Sequence, residues 1–234
     1  MIDNKILHSW ITHKSRVLDL GCGDGEILCS LKTQNEIDGY GFEIDPKHIE
    51  ACISKGVNVI EYDLNTGLEN IKDKSFDYII MSHTLQTLRF PNLILNEMLR
   101  IGEKCIVTFP NFGYWRVRLS LLFKGEMPVT KDLNHQWYDT PNIHFFTYRD
   151  FETLCKKEGI NILKRDFVGS NHSAMLRKIN PNLFAQTAVY LLSGALNMNL
   201  ALMKNSFLAV LCLLLIVSEI SFSNDSIFYQ VGVY

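Results

Sequence analysis

No two of the six cysteines (Cys22, Cys29, Cys52, Cys105, Cys155 and Cys212) form a C-x-x-C pair. That spacing offers neither a zinc-ligand set nor a disulfide framework, and it suits reduced thiols in a cytoplasmic protein. An excess of one charge is also missing. With 23 basic and 25 acidic residues the formal charge is −2, which gives no sign of a nucleic-acid surface. Arg116, Arg118, Lys124 and Lys131 make at most a local patch, read as a solvated helix face. No cleavable signal is expected at the N-terminus, and there is no internal repeat or low-complexity stretch. No apolar run reaches the roughly 20 residues that a membrane-spanning helix needs, so no functional membrane span is expected in the main domain. What remains is a chain of 234 residues, 47% apolar, with material for one large core or for one domain and an appendage.

The chain is organised around Val17-Leu18-Asp19-Leu20-Gly21-Cys22-Gly23-Asp24-Gly25. The apolar run Arg16–Leu20 reads as a short buried strand, and Glu26–Leu31 as an opening helix. Strand, glycine turn and helix form the first unit of a doubly wound α/β domain, whose ligands sit beyond the carboxyl ends of the strands. The dinucleotide fingerprint is G-x-G-x-x-G. Here the third glycine comes one residue early, at Gly25, and Glu26 takes the dinucleotide position. An acid, Asp19, precedes the first glycine, where a carboxylate suits a cationic ligand group better than a phosphate. S-adenosylmethionine carries an ammonium and a sulfonium and no phosphate. The pattern D-x-G-x-G-x-G resembles motif I of the class I methyltransferases, which bind that cofactor. A nicotinamide oxidoreductase stays open as an alternative, disfavoured by the Gly25 spacing. Cys22, inside the turn, reads as a small residue filling a tight space rather than as a nucleophile.

Two further strands close on acids. Gly39–Ile44 reads as a strand ending in Glu43, about 20 residues after the glycine turn, where a ribose-binding carboxylate belongs. Asp45 and Pro46 then read as N-cap and first residue of a helix, so Asp45 is the structural carboxylate and Glu43 the functional one. After the strand Val57–Tyr62 comes Asp63-Leu64, which resembles the acidic-apolar pair that meets adenine in this superfamily.

The remaining pattern continues the alternation. Asp3 can cap a first helix bearing Ile6, Leu7, Trp10 and Ile11. Phe76–Met81 is a fourth strand, whose end should bring Ser82 and His83 beside the glycine turn. Asn92–Arg100 is a surface helix, and Lys104–Phe109 a fifth strand stopped by Pro110. Tyr148–Lys157 is a helix, Asn161–Val168 a sixth strand, and Phe184–Leu192 a last strand, inserted antiparallel. The expected fold is α/β: a doubly wound, mostly parallel, Rossmann-like seven-stranded sheet complete near Leu192, within a domain of residues 1–194.

Between Pro110 and the sixth helix-strand unit the alternation lapses. Asn111–Phe146 is rich in aromatic and polar residues and follows a central strand, so it is expected to cover the crevice and to supply a substrate or partner surface. A small satellite core built by Trp115, Trp137 and Tyr138 is the competing reading. His83, His135, Tyr138, Asp139 and His144 are the candidate bases, each also open to a structural hydrogen-bonding role. No metal site is expected.

Five phrases together resemble the MetW family of bacterial methionine-biosynthesis proteins: Val17–Glu26, Gly39–Asp45, Phe76–Ile80, Phe109–Leu119 and Gln136–Phe145. The first three are shared across the methyltransferase superfamily, and the last two carry the family likeness, which runs to about Leu192. The resemblance implies a cytoplasmic protein of methionine biosynthesis that binds S-adenosylmethionine and acts together with homoserine O-acyltransferase, either as a methyltransferase or as a catalytically quiet cofactor-binding partner or sensor. The cofactor pattern carries over at Asp19, Gly21, Gly23, Glu43, Asp63 and Leu64, with Ile44 and Ser82 beside them.

After Gly194 the sequence changes character. Met203-Lys204-Asn205-Ser206, the apolar run Phe207–Val217 and the polar stretch Ser218–Ser226 have the anatomy of a secretory signal peptide. Residues 195–234 are therefore expected to lie outside the fold, with Met203 onward the start of a neighbouring exported protein joined by a frameshift or a lost stop codon; a membrane-tethering tail and an extra buried helix are the competing readings.

Overall fold

Seven strands lie in one sheet in the order β3-β2-β1-β4-β5-β7-β6. They are β1 Arg16–Leu20, β2 Asp38–Glu43, β3 Asn58–Glu61, β4 Phe76–Ser82, β5 Gly102–Pro110, β6 Asn161–Val168 and β7 Thr187–Ser193. The computed structural model describes residues 4–130, 132–169 and 174–194. Asp3, Lys131 and the tail from Ala195 lie outside the described residues. Among those described, no helix is long and apolar enough to cross a membrane.

The first five strands pair in parallel, and β7 runs antiparallel between β5 and β6. Period-two alternation sends successive side chains to opposite faces. Val17, Tyr78, Ile80, Ile106 and Val189 pack on one face with Leu7 and Ile11 and with residues of two helices, α2 Glu26–Asn35 and α3 Pro46–Ser54. Leu7 belongs to α1, Asn4–Trp10. The intervening residues Leu18, Leu20, Ile79, Met81, Val107 and Tyr190 face α4, Pro91–Ile101, and Tyr148, Phe151 and Cys155. Both faces are thus covered, as a parallel sheet requires.

The insertion holds more regular structure than its composition suggested: α5, Trp115–Leu119, runs into a π-helical turn, Ser120–Lys124. The next helix, α6, spans Tyr148–Lys157 and begins with a capping box between Thr147 and Asp150. Two short helices follow, α7 Ala174–Ile179 and α8 Pro181–Phe184. Phe184 therefore ends a helix instead of opening the last strand. The cause is Asn111, buried at the end of β5. Its amide donates to the carbonyls of Asn182 and Ala185, at 3.2 and 3.0 Å, and bends the chain there. Pairing of β7 starts only at Thr187, opposite Pro110.

Candidate functional site

At the carboxyl ends of β1 and β4 lies a cleft of about 210 Å³, lined by Asp19, Gly21, Cys22, Gly23, Asp24, Glu26, Ser82 and His83 among others. The glycine turn that forms its floor is held by the neighbouring strand. The amides of Gly21 and Cys22 donate to the Phe42 carbonyl at 2.8 and 3.0 Å. Gly21, Gly23 and Gly25 all have positive φ, between 56° and 75°. A Cβ on Gly21 would meet the Thr84 hydroxyl at 2.6 Å, whereas one on Gly23 would meet nothing within 4 Å. Gly21 is therefore demanded by packing, and Gly23 leaves open the space beside the turn.

Glu43 ends β2 with its carboxylate turned back onto that turn. One oxygen accepts from the Gly23 amide at 2.8 Å, and the other from the amides of Ile44 and Asp45 at 2.9 and 3.0 Å. His48 Nδ1 lies 4.0 Å away. Asp45 caps α3 by accepting from the Lys47 amide at 2.9 Å, as the sequence reading expects. Asp63 also spends an oxygen locally: its carboxylate accepts from the amide and side chain of Asn65 and caps the turn Leu64–Thr66. Leu64 is buried in the core, while Ile44 is 56% exposed at the rim after Glu43.

Asp19 carries a buried carboxylate. It is 1% exposed, and within the described residues neither carboxylate oxygen has a hydrogen-bond partner. Burial, aided by the nearby charge of Glu43, pushes its pKa from 3.8 up to about 7. An unpaired buried carboxylate beside an open turn is the expected signature of a site completed by a cationic or hydrogen-bonding ligand.

Ser82 and His83 border the cleft as the strand order required. Ser82 accepts from the Thr108 hydroxyl at 3.3 Å. His83 is held in the left-handed region, φ 53°, with its amide donating to the Thr108 carbonyl at 3.0 Å. Its buried Nε2 has no hydrogen-bond partner among the described residues. Burial lowers the imidazole pKa, and the nearby Asp132 carboxylate opposes that shift. Asp132 itself accepts from the Thr187 hydroxyl at 2.9 Å. A strained, desolvated histidine at the mouth of a cleft is a functional-site feature.

The other candidate bases do not gather around His83. His135 and Asp139 pair at 3.8 Å on the exposed return loop, and Tyr138 is 71% exposed. His144 comes closer through the backbone: its amide and that of Ile143 both donate to the Gln86 carbonyl at 3.0 Å, while the Gln86 side chain donates to the His83 carbonyl. None of the described residues lining the cleft belongs to the insertion. The insertion meets instead the loop that follows β4, and builds a satellite core from Tyr114, Val117 and Leu133, with Trp115 packed against it. Trp137 stays out, 73% exposed, edge-to-face with Tyr138 at 5.7 Å.

Three participants escaped the sequence reading. Thr84 packs against Gly21, and Gln86 ties the insertion to the histidine loop. Asp24 pairs with Lys55 at 2.6 Å and so links the glycine turn to the end of α3. Only Asp24, as an acid inside the glycine motif, left any trace in the sequence. Cys22 and Cys52 fill the space behind the turn, their sulfurs 3.8 Å apart, and burial raises the pKa of both thiols, so neither is an activated nucleophile. Among the described residues no group of His, Cys, Asp and Glu is arranged to hold a metal ion.

The fold is that of the S-adenosylmethionine-dependent methyltransferases. A solved structure of such an enzyme from Archaeoglobus fulgidus matches with a TM-score of 0.56 at 20% identity, over 81% of this chain and 94% of that one. Another, from Mesorhizobium loti, matches with a TM-score of 0.59 at 14% identity, over 80% and 95%. The bifunctional methionine biosynthesis protein MetXA/MetW of Rhodopirellula baltica is 34% identical over 198 residues. These are 80% of this chain but 32% of that relative, so the chain spans about a third of its length. The family model of methionine biosynthesis protein MetW matches residues 1–192, and the chain belongs to the MetW family.

Proposed function

We propose that the cleft binds S-adenosylmethionine, and that the protein acts in methionine biosynthesis together with homoserine O-acyltransferase as a methyltransferase. The carrying observation is Asp19, whose buried and unpartnered carboxylate fits an ammonium group. The charged residues lining the cleft are Asp19, Asp24 and Glu26, all acids. An acidic cleft repels the pyrophosphate of a dinucleotide and attracts a cation, which argues against the nicotinamide alternative. Glu43, with lone pairs left on oxygens already fixed by backbone amides, suits the ribose hydroxyls. Asp63 and Leu64 would face adenine, with Ile44 as apolar cover, and Gly21 and Gly23 would allow close approach of the ligand. Ser82 and His83 would stand nearest the methyl-donating end.

The bound cofactor would supply an electrophilic methyl group. The chain's own contribution is to align an acceptor and, where that acceptor carries a proton, to remove it. His83 fits the second task, because its lowered pKa keeps the imidazole neutral at pH 7 and its Nε2 is unpartnered.

A second reading is favoured by the relative whose name joins MetXA and MetW in one bifunctional protein. In it the chain is a cofactor-binding partner or sensor of the acyltransferase and transfers no methyl group. Calorimetry with S-adenosylmethionine and with NAD tests the shared premise: the first should bind and the second should not. Incubation with methyl-labelled cofactor and homoserine-pathway metabolites, with and without the acyltransferase, separates the two readings. Label in a metabolite supports the enzyme, whereas altered acyltransferase rate with no label transfer supports the sensor.

A further inference from the structure

A second cavity, larger than the cleft beside the glycine turn, lies elsewhere in the domain. It is a groove of about 580 Å³ in the insertion, between the helical segment Trp115–Lys124, the return loop at Pro128–Thr130, and Gln186. That volume is in the range of small-molecule sites. It shares no lining residue with the cleft.

Its chemistry is opposite in sign. Among the described lining residues the charged ones are Arg116 and Lys124, both cations, and none is a carboxylate. Apolar surface comes from Trp115, Leu119, Phe123 and Val129, and Phe123 is 77% exposed although its ring adjoins the groove. The Arg116 guanidinium lies over the Trp115 ring, 5.3 Å from its centroid, which holds a cation beside an aromatic wall. The wall is fixed from behind: Tyr114 and Val117 are buried with Leu133, and Arg118 donates to the Gly113 carbonyl at 2.6 Å. The Thr130 hydroxyl accepts from the Leu133 amide at 3.2 Å and retains its own proton to donate. A π-helical turn, Ser120–Lys124, forms one side, a feature frequent at functional sites.

We infer that this groove is a second ligand site, for a small organic anion with an apolar or aromatic body. The anionic head meets Lys124 and Arg116, and the body lies along Trp115 and Phe123. The inference stands apart from the cofactor reading, since it uses none of the cleft's residues.

The test uses 1-naphthalenesulfonate as the anionic probe and 1-naphthalenemethanol as its neutral counterpart, each titrated into the full chain by calorimetry. The sulfonate should bind at least tenfold more tightly. Lys124 is exposed, so Lys124→Gln should leave the fold intact; it should weaken sulfonate binding roughly tenfold, the loss of one charge-assisted contact. Arg116→Gln should do the same, with thermal melting recorded to separate unfolding from lost contact. Asp19→Asn, in the other cleft, should leave sulfonate binding unchanged. Equal affinity for the two probes, or a Lys124→Gln variant that binds the sulfonate as wild type does, overturns the inference.

Discussion

The cleft beside the glycine turn and the groove in the insertion open from the same domain and are built on opposite terms. Around the cleft the backbone is tightly held while polar side-chain atoms are buried. Glu43 is clamped by three backbone amides, Gly21 is closed in by Thr84, and Asp19 is 1% exposed at the floor of the cleft. Around the groove, side chains such as Leu122 and Phe123 remain 73% and 77% exposed, and regular structure is short. Polar groups with fixed directions cost free energy to bury, and that cost is sustained where a ligand returns it on binding. Exposed apolar and aromatic surface has no such directional demand and suits partners or ligands recognised by area.

Asp19 gives the sharpest test of the first half of that contrast. Its pKa rises on folding from 3.8 to about 7. The stability its neutral form permits is therefore complete below the unfolded pKa and is lost as pH rises towards 7. The ligand-free protein should lose up to about 4 kcal/mol across that window, and Asp19→Asn should abolish the slope and raise stability at pH 7. Binding of a cation requires the ionised form, so affinity for S-adenosylmethionine should climb from pH 5 to 7 and then level. Urea melts and calorimetry across pH measure both. A flat affinity profile between pH 5 and 8 would remove Asp19 from the site.

Glu43 and Asp45 separate ligand chemistry from capping two residues apart. Glu43→Ala should weaken cofactor binding by roughly 1–3 kcal/mol, because the Gly23 amide and the ribose hydroxyls lose their acceptor. Asp45→Ala should cost about 1 kcal/mol of stability through the lost cap and leave affinity close to wild type. The reverse pattern in calorimetry would exchange their roles.

The two glycines make the same cut within the turn. Gly21→Ala is strained by its φ of 74° and by contact with Thr84, so it should lose about 1–2 kcal/mol of stability. At Gly23 the added methyl enters open space beside the ligand. There the left-handed strain of about 1 kcal/mol should be joined by a larger loss of affinity. Equal affinity losses at both positions would mean that the turn, and not the space above Gly23, is what the substitutions damage.

How far these features could be read from the sequence depends on their range. Strands with period-two alternation, the Asp45-Pro46 cap, and the acids at strand ends are local signals, and β1, β2, β4 and α6 fall where those signals put them. Long-range hydrogen bonds leave no such mark. Asn111 looked like a loop residue, yet its amide bends the chain at Asn182–Ala185 and converts the supposed strand start at Phe184 into a helix end. The insertion misled for a related reason. Its aromatics hid the helical spacing of Trp115–Leu119, and their burial was decided by tertiary neighbours: Trp115 packs on Tyr114 and Val117, whereas Trp137 does not.

That difference between the tryptophans yields the prediction with the smallest stability effect. Trp137 is 73% exposed and its ring contact is with Tyr138, itself 71% exposed. Removing the indole from such a position uncovers little surface, so Trp137→Ala should change unfolding free energy by less than about 0.5 kcal/mol. S-adenosylmethionine affinity should also be unaffected, because the insertion does not line the cleft. An exposed aromatic pair is, however, the kind of surface that anchors a protein interface, where a single tryptophan commonly carries 2 kcal/mol or more. If this face meets homoserine O-acyltransferase, Trp137→Ala should weaken that complex by about tenfold or more while the protein stays folded and cofactor-competent. Sedimentation of the mixed proteins, wild type against variant, reads the change directly. A complex that forms equally well without the indole would move the partner surface elsewhere, and a variant that unfolds would show that Trp137 belongs to the satellite core after all.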